Sequence, residues 1–235
     1  MTQVSGDVSS ERRARWVRLA WVAAYAVAMA WLEAAVVLYL RTLTGEYNPA
    51  RPIVTPLSNH LILAECFREA ATLVMLGAVG WLAGRNARTR LGAFVLAFGI
   101  WDIGYYVFLV PLTGWPTSPA DWDILFLLPL PWWGPVWSPV SIALLMVIGG
   151  TRIFLMDEPD RPCWPGWRTM GLALAGAALA LGVFMAESVR QLHAGNTNRL
   201  DAVPETFPTA LFVLAWLLMA APLIPLFRTA KPNAS

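Results

Sequence analysis

The sequence predicts an all-α membrane protein: a bundle of about six transmembrane helices, with a short Trp/Pro-rich interfacial or re-entrant segment between spans three and four. Three observations carry this. Of 235 residues, 57% are apolar and only 14% charged, whereas a soluble domain carries roughly a quarter charged residues. The mean hydropathy is +0.55, and the apolar residues gather in blocks that match the roughly 20 residues a helix needs to cross a bilayer. The arginines fall unevenly between the intervening loops. A water-soluble enzyme and a disordered chain are excluded by the composition. A net charge of +2, with basic residues spread along the chain, excludes a nucleic-acid partner and leaves the lipid bilayer as the implied one.

Residues 1–15 read as a disordered cytoplasmic tail. The apolar run that follows its arginines is about 24 residues, longer than the core of a cleaved signal peptide, and predicts a retained first helix. Six blocks then define one domain over residues 16–228: Ala20–Leu40, Leu61–Ala83, Leu91–Pro111, Pro139–Phe154, Met170–Met185 and Phe207–Phe227. None alternates as a barrel strand does, so a helical bundle is the economical solution. Residues 229–235 form a second short tail. Span five is rich in small residues, among them Gly171, Ala175, Ala178 and Gly182, which favour close helix packing and offer a face for oligomerisation. Pro222 and Pro225 predict a kink near the end of span six.

Placing the N-terminus inside puts twelve basic residues in inner segments, from Arg12 to Lys231. Four lie outside (Arg41, Arg51, Arg190 and Arg199), and Arg68 lies within a span. This bias predicts both termini in the cytoplasm. Cys66 and Cys163 then fall on different levels and are not expected to pair.

Between spans three and four runs LTGWPTSPADWDILFLLPLPWWGPVWSP, residues 112–139. Proline at this density blocks a continuous helix. The segment predicts a short interfacial or re-entrant helix near Trp122–Leu128, then an extended turn. Trp115, Trp122, Trp132, Trp133 and Trp137 are expected at the outer headgroup level as anchors, or as a lid over a polar pocket. Asp121 is placed as a helix N-cap, and the charges from Arg152 to Arg161 read as a solvated inner loop.

Five charged side chains lie inside predicted spans: Glu33, Glu65, Arg68, Glu69 and Asp102. An ionised group at mid-membrane costs about 2.5–3.5 kcal/mol on the insertion scale, so each requires a partner. Counted from the outer helix ends, Glu65, Glu33, Glu69 and Asp102 lie about 6, 10, 12 and 13 Å deep. Four carboxyls thus share the outer half. Glu65, Arg68 and Glu69 are spaced i, i+3, i+4 and occupy one face of span two; Asp102, Tyr105 and Tyr106 repeat that spacing in span three. If these faces meet Glu33, Arg68 neutralises one or two acids, and the rest must be protonated or hold a cation. Asp123 is a candidate overhanging the same pocket.

Three functions fit these residues. One is a pocket for a proton, cation or small polar ligand, transport-related or binding. Another is a membrane enzyme using the carboxyls as metal ligands (Glu65, Glu69 and Asp102) or as an acid–base pair on a lipid-soluble substrate. The last is an assembly or anchoring subunit in which the ion pairs only set helix register. His60 lies about 140° around the helix from Glu65, and no histidine box, Cys-x-x-Cys, GxSxG, phosphate loop or dinucleotide fingerprint occurs. No cofactor is implied.

The stretch from Trp101 to Pro139 resembles a group of uncharacterised bacterial multi-pass membrane proteins sharing WDxxYY, then GWP, then WDxLFLxPxPWxGPV. The residues are Trp101, Asp102, Tyr105 and Tyr106; Gly114, Trp115 and Pro116; then Trp122 and Asp123 onward to Val136. The likeness extends to the Glu65–Arg68–Glu69 helix and covers about a third of the chain. It implies a multi-pass membrane protein and transfers no catalytic role.

Overall fold

The computed structural model describes residues 2–43, 59–158, 162–195 and 203–228, with side chains from Ser10 in the first helix and from His60 in the second. Arg51, Arg161, Arg199 and the tail 229–235 lie outside the described residues. The elements are α1 (Thr2–Leu43), α2 (Asn59–Ala83), α3 (Ala87–Thr113), β1 (Trp122–Phe126), β2 (Trp132–Pro135), α4 (Trp137–Met156), α5 (Trp167–His193), α6 (Thr209–Ala220) and α7 (Leu223–Arg228). Among the described residues, five helical segments are long and apolar enough to cross a membrane: α1, α3, α4, α5 and the α6–α7 pair. The expected second span, α2, is not among them; it is 25 residues long and carries Glu65, Arg68 and Glu69 in its first half.

The N-terminal tail is not disordered. It is helical from Thr2 and continuous with the first span. Its Ala, Arg and Glu residues are good helix formers, and Glu11 lies 4.0 Å from Arg15 one turn on. The break expected near the end of span six falls at Ala221–Pro222, between α6 and α7.

The central helix is α3. It packs against α1, α2 and α4, whereas α5 and α6 pair with each other beside α4. Glycine sets these distances. A Cβ on Gly99 would come within 2.6 Å of the Ala143 carbonyl, and one on Gly150 within 2.7 Å of the Gly92 carbonyl, so α3 and α4 meet backbone to backbone. Gly104 accommodates Ala30 of α1 and Gly176 accommodates α6 in the same way. Without a hydrophobic drive between helices in lipid, such close contact supplies the packing energy. At its start α3 carries a capping box, the Asn86 side chain accepting from Thr89 N–H while the Thr89 hydroxyl accepts from Asn86 N–H. Gly114 ends it in the left-handed conformation (φ 72°).

The Trp/Pro segment is not helical. β1 and β2 form an antiparallel hairpin with Trp122 opposite Pro135, Asp123 opposite Gly134 and Ile124 opposite Trp133, and a register shift before Phe126. The physical reason lies in the prolines. They remove backbone donors and block a continuous helix, so the remaining N–H groups are satisfied by short extended pairing and by side-chain acceptors such as Asp121 and Glu69. Trp115 and Trp133 are each 1% exposed, which makes them internal packing residues and not headgroup anchors. Gly134 fits because a Cβ there would press to 2.8 Å from Ser138 Oγ. Ser188 of α5 donates to the Pro131 carbonyl at 2.6 Å, tying the hairpin to the second helix pair.

Asp121 is not a helix N-cap. Its carboxylate accepts from Thr117 N–H (2.7 Å), the Thr117 hydroxyl (2.9 Å) and Ser118 N–H (3.1 Å), closing the turn before β1.

Candidate functional site

The charges of the expected spans collect in a layer toward the hairpin end of the bundle, in two groups. In the first, Arg68 of α2 bridges two helices. Its Nη1 donates to Glu33 Oε1 of α1, and its Nε donates to Glu65 Oε2 at 2.7 Å, one turn back on α2. The side chains of Glu33 and Glu65 are 13% and 11% exposed. The fork of the guanidinium is what permits one cation to hold two acids from different directions.

Glu69 shares the face of Arg68, as the i, i+4 spacing from Glu65 predicted, but makes a different bond. Both its oxygens accept the Leu127 backbone N–H at 3.0 Å. That N–H lies just beyond the end of β1, so Glu69 fastens the hairpin to α2. Arg68, Glu33 and Glu65 remain its electrostatic neighbours.

The second group joins α3 to the hairpin. The Tyr106 hydroxyl donates to Asp123 Oδ2 at 3.0 Å. Asp123 is buried, and that burial pushes its carboxyl up to about 7, against the lowering effects of the Tyr106 bond and the Arg41 guanidinium. Asp102 lies one turn before Tyr106 on α3 and interacts electrostatically with Asp123. Among the described residues Asp102 makes no hydrogen bond and no ion pair. Tyr105 packs edge-on against Tyr106, ring centres 4.8 Å apart, and interacts with Asp123, Arg41, Glu33 and Arg68. It is the side chain that both groups share.

All eight sequence candidates therefore lie in or beside this layer, but the four span carboxyls do not converge on one point. Glu33 and Glu65 meet at Arg68, Glu69 turns to the hairpin, and Asp102 feels the charge of Asp123. Among the described residues no three His, Cys, Asp or Glu side chains come together as metal ligands, so Glu65, Glu69 and Asp102 are not one ligand set.

Arg41 is the layer's unexpected member. Placed in an outer loop by the sequence reading, it belongs to the last turn of α1, is 3% exposed, and lies over the Trp115 ring at 4.9 Å. The signal was its continuity with the apolar run of span one: no helix breaker precedes it.

At the opposite end the expected solvated loop is an organised contact. Asp157 is buried and accepts from Arg88 Nε (2.6 Å), Asn86 Nδ2 (2.8 Å) and Cys163 N–H (3.0 Å). Arg15 of α1 donates to the Leu155 and Asp157 carbonyls at the end of α4. Burial of Cys163 raises its thiol above the ordinary range.

One cleft, of about 160 Å³, opens between the hairpin, the end of α5 and the strand of chain before α6. Trp122, Trp133, Phe184 and Phe207 line it, with the Glu187–Arg190 ion pair (2.6 Å) beside them. It contains none of the layer's carboxyls. No family model, curated protein or solved structure matches the chain.

Proposed function

We propose that this is a six-span protein of a bacterial cytoplasmic membrane, with both termini inside, and that Asp102 and Asp123 form a binding site for a proton or small cation in its outer half. For the span count, the support is α2 itself: Leu63, Phe67, Val74 and Trp81 are 57–70% exposed along its length, a lipid-facing stripe, while Glu65 and Glu69 are buried. The arginine bias supports the orientation, and the Trp101–Pro139 resemblance supports the setting.

The observation that carries the binding reading is the pairing of two acids from different elements, one of them without a hydrogen-bonded or ionic partner among the described residues. Arg68 is occupied by Glu33 and Glu65 and serves as a structural cross-link between α1 and α2. Two interacting carboxyls in a largely buried layer share a proton or take up a cation, because both cannot be bare anions. Tyr106, bonded to Asp123, orients that carboxyl.

The test is infrared titration of the purified protein, with sodium and potassium arms. The protonated-carboxyl stretch should disappear as pH rises, earlier in the presence of a cation that binds. Asp102→Asn and Asp123→Asn should each remove that transition. An unchanged titration in both variants sinks the reading.

A further inference from the structure

We infer that the arginine-bearing end of the bundle, between α1 and the α2–α3 turn, holds the phosphate of an anionic phospholipid. The inference is independent of the carboxylate layer. Arg18 of α1 has Arg15 and Arg85 as like-charged neighbours and Glu11 as its single acidic one. That carboxylate is divided: it lies 4.0 Å from Arg15 and 3.8 Å from Arg85, at the outer limit of an ion pair, and is 54% exposed. Arg15 is further engaged by the α4 carbonyls. Arg18 itself makes no hydrogen bond and no ion pair among the described residues, and its Nε is closed off from solvent without an acceptor.

A guanidinium held part-buried beside two others, with one shared acid, has the chemistry of a phosphate site. Its position makes a lipid the fitting source. α1 and α2 both pack mainly on α3 and touch each other little, so Arg18 stands at the end of the bundle beside the weakest of these three helix contacts. Trp21 of α1 and Trp81 and Leu82 of α2 are 63–82% exposed at this end, offering apolar surface to acyl chains. Basic pockets between helices at this level are where anionic headgroups bind. Arg88 and Arg90 are not free to join: the first is bonded to Asp157, and the second lies over the Trp81 ring at 3.7 Å.

The experiment is native mass spectrometry of the full chain from mixed micelles containing dioleoyl phosphatidylglycerol or dioleoyl phosphatidylcholine. The wild type should retain phosphatidylglycerol preferentially. Arg18→Gln should weaken that retention about fivefold, in line with the contribution of one interfacial arginine, and Arg18→Lys should recover part of it. Arg85→Gln, at an exposed side chain, gives the same reading with little risk to folding. Arg190→Gln at the other end should leave retention unchanged. Equal retention of the two lipids, or wild-type retention by both Arg18→Gln and Arg85→Gln, overturns the proposal. So does full displacement of the lipid by millimolar inorganic phosphate, which would identify a site for the free anion.

Discussion

The two ends of the bundle each bury carboxylates against arginine, yet they balance their charges differently. At the Asp157 end one carboxylate receives donors from Arg88, Asn86 and the Cys163 backbone, so its oxygens are saturated and it has no capacity for a proton or cation. In the layer toward the hairpin end, five carboxyls (Glu33, Glu65, Glu69, Asp102 and Asp123) stand with two guanidiniums, Arg41 and Arg68, and the acids are satisfied in descending order. Glu33 and Glu65 have ion pairs, Glu69 has a backbone N–H, Asp123 has a tyrosine hydroxyl, and Asp102 has no bonded group among the described residues. A saturated network holds helices together; an acid-rich one leaves capacity for a proton or cation. The distinction predicts which substitutions cost stability and which cost binding.

The largest effect belongs to the saturated end. Asp157→Ala strips three donors of their acceptor, with the Asp157 side chain only 1% exposed, and should cost about 3–5 kcal/mol in detergent unfolding. Arg68→Leu should cost a similar amount by leaving Glu33 and Glu65 uncompensated. The comparison sharpens when the acids are neutralised as well. Arg68→Leu combined with Glu33→Gln and Glu65→Gln should recover most of the loss, because an apolar replacement of a whole buried network is tolerated where its half-removal is not. If the triple variant is no more stable than Arg68→Leu alone, the triad is not a self-contained structural cross-link.

Much of the helical frame was legible because apolar block length responds to one variable, the thickness of the bilayer: five of the six expected blocks lie within single helices, and the sixth is divided between α6 and α7. The spacing of Glu65, Arg68 and Glu69 likewise placed them on one face. What escaped was long-range or backbone-borne. Asp157 and Arg88 are 69 residues apart, so their pairing leaves no local periodicity, and charged loop residues read as solvated by default. Glu69 binds a main-chain N–H, which no side-chain pattern announces. The hairpin was missed for a related reason: its strands are only five and four residues long, with prolines between and after them, and pairing across them depends on register, not on composition.

Intermediate effects test the hairpin's attachment. Glu69→Ala removes a charge-assisted bond to Leu127 and should cost about 1.5–3 kcal/mol, read as faster amide exchange confined to 122–135 while α4 and α5 keep their protection. A change spread over the whole bundle would mean that Glu69 acts through Arg68 instead. Asp123 adds a pH dependence whose sign follows from burial. Its carboxyl is raised from the ordinary 3.8 to about 7, so its contribution to stability is fully present below about 3.8 and is lost as pH rises through about 7. Between those values the unfolded chain binds fewer protons than the folded one, and stability falls as pH increases. Asp123→Asn should flatten that part of the profile, measured as the thermal midpoint against pH.

The smallest effect on stability is expected at the residue most important to binding. Asp102 forms no bond with the described residues that Asn could break, and Asn has nearly the same volume. Replacement removes only the burden of a second acid interacting with Asp123. Asp102→Asn should therefore leave the unfolding midpoint within the range of an ordinary surface substitution, about 0.5 kcal/mol, or raise it, while abolishing the proton or cation response described above. The opposite result, a large loss of stability with the titration intact, would move Asp102 into the same class as Asp157 and erase the difference between the two ends. Stability and ligand response must be measured on the same preparation for this reason: a structural acid loses both together, whereas a binding acid loses only the second.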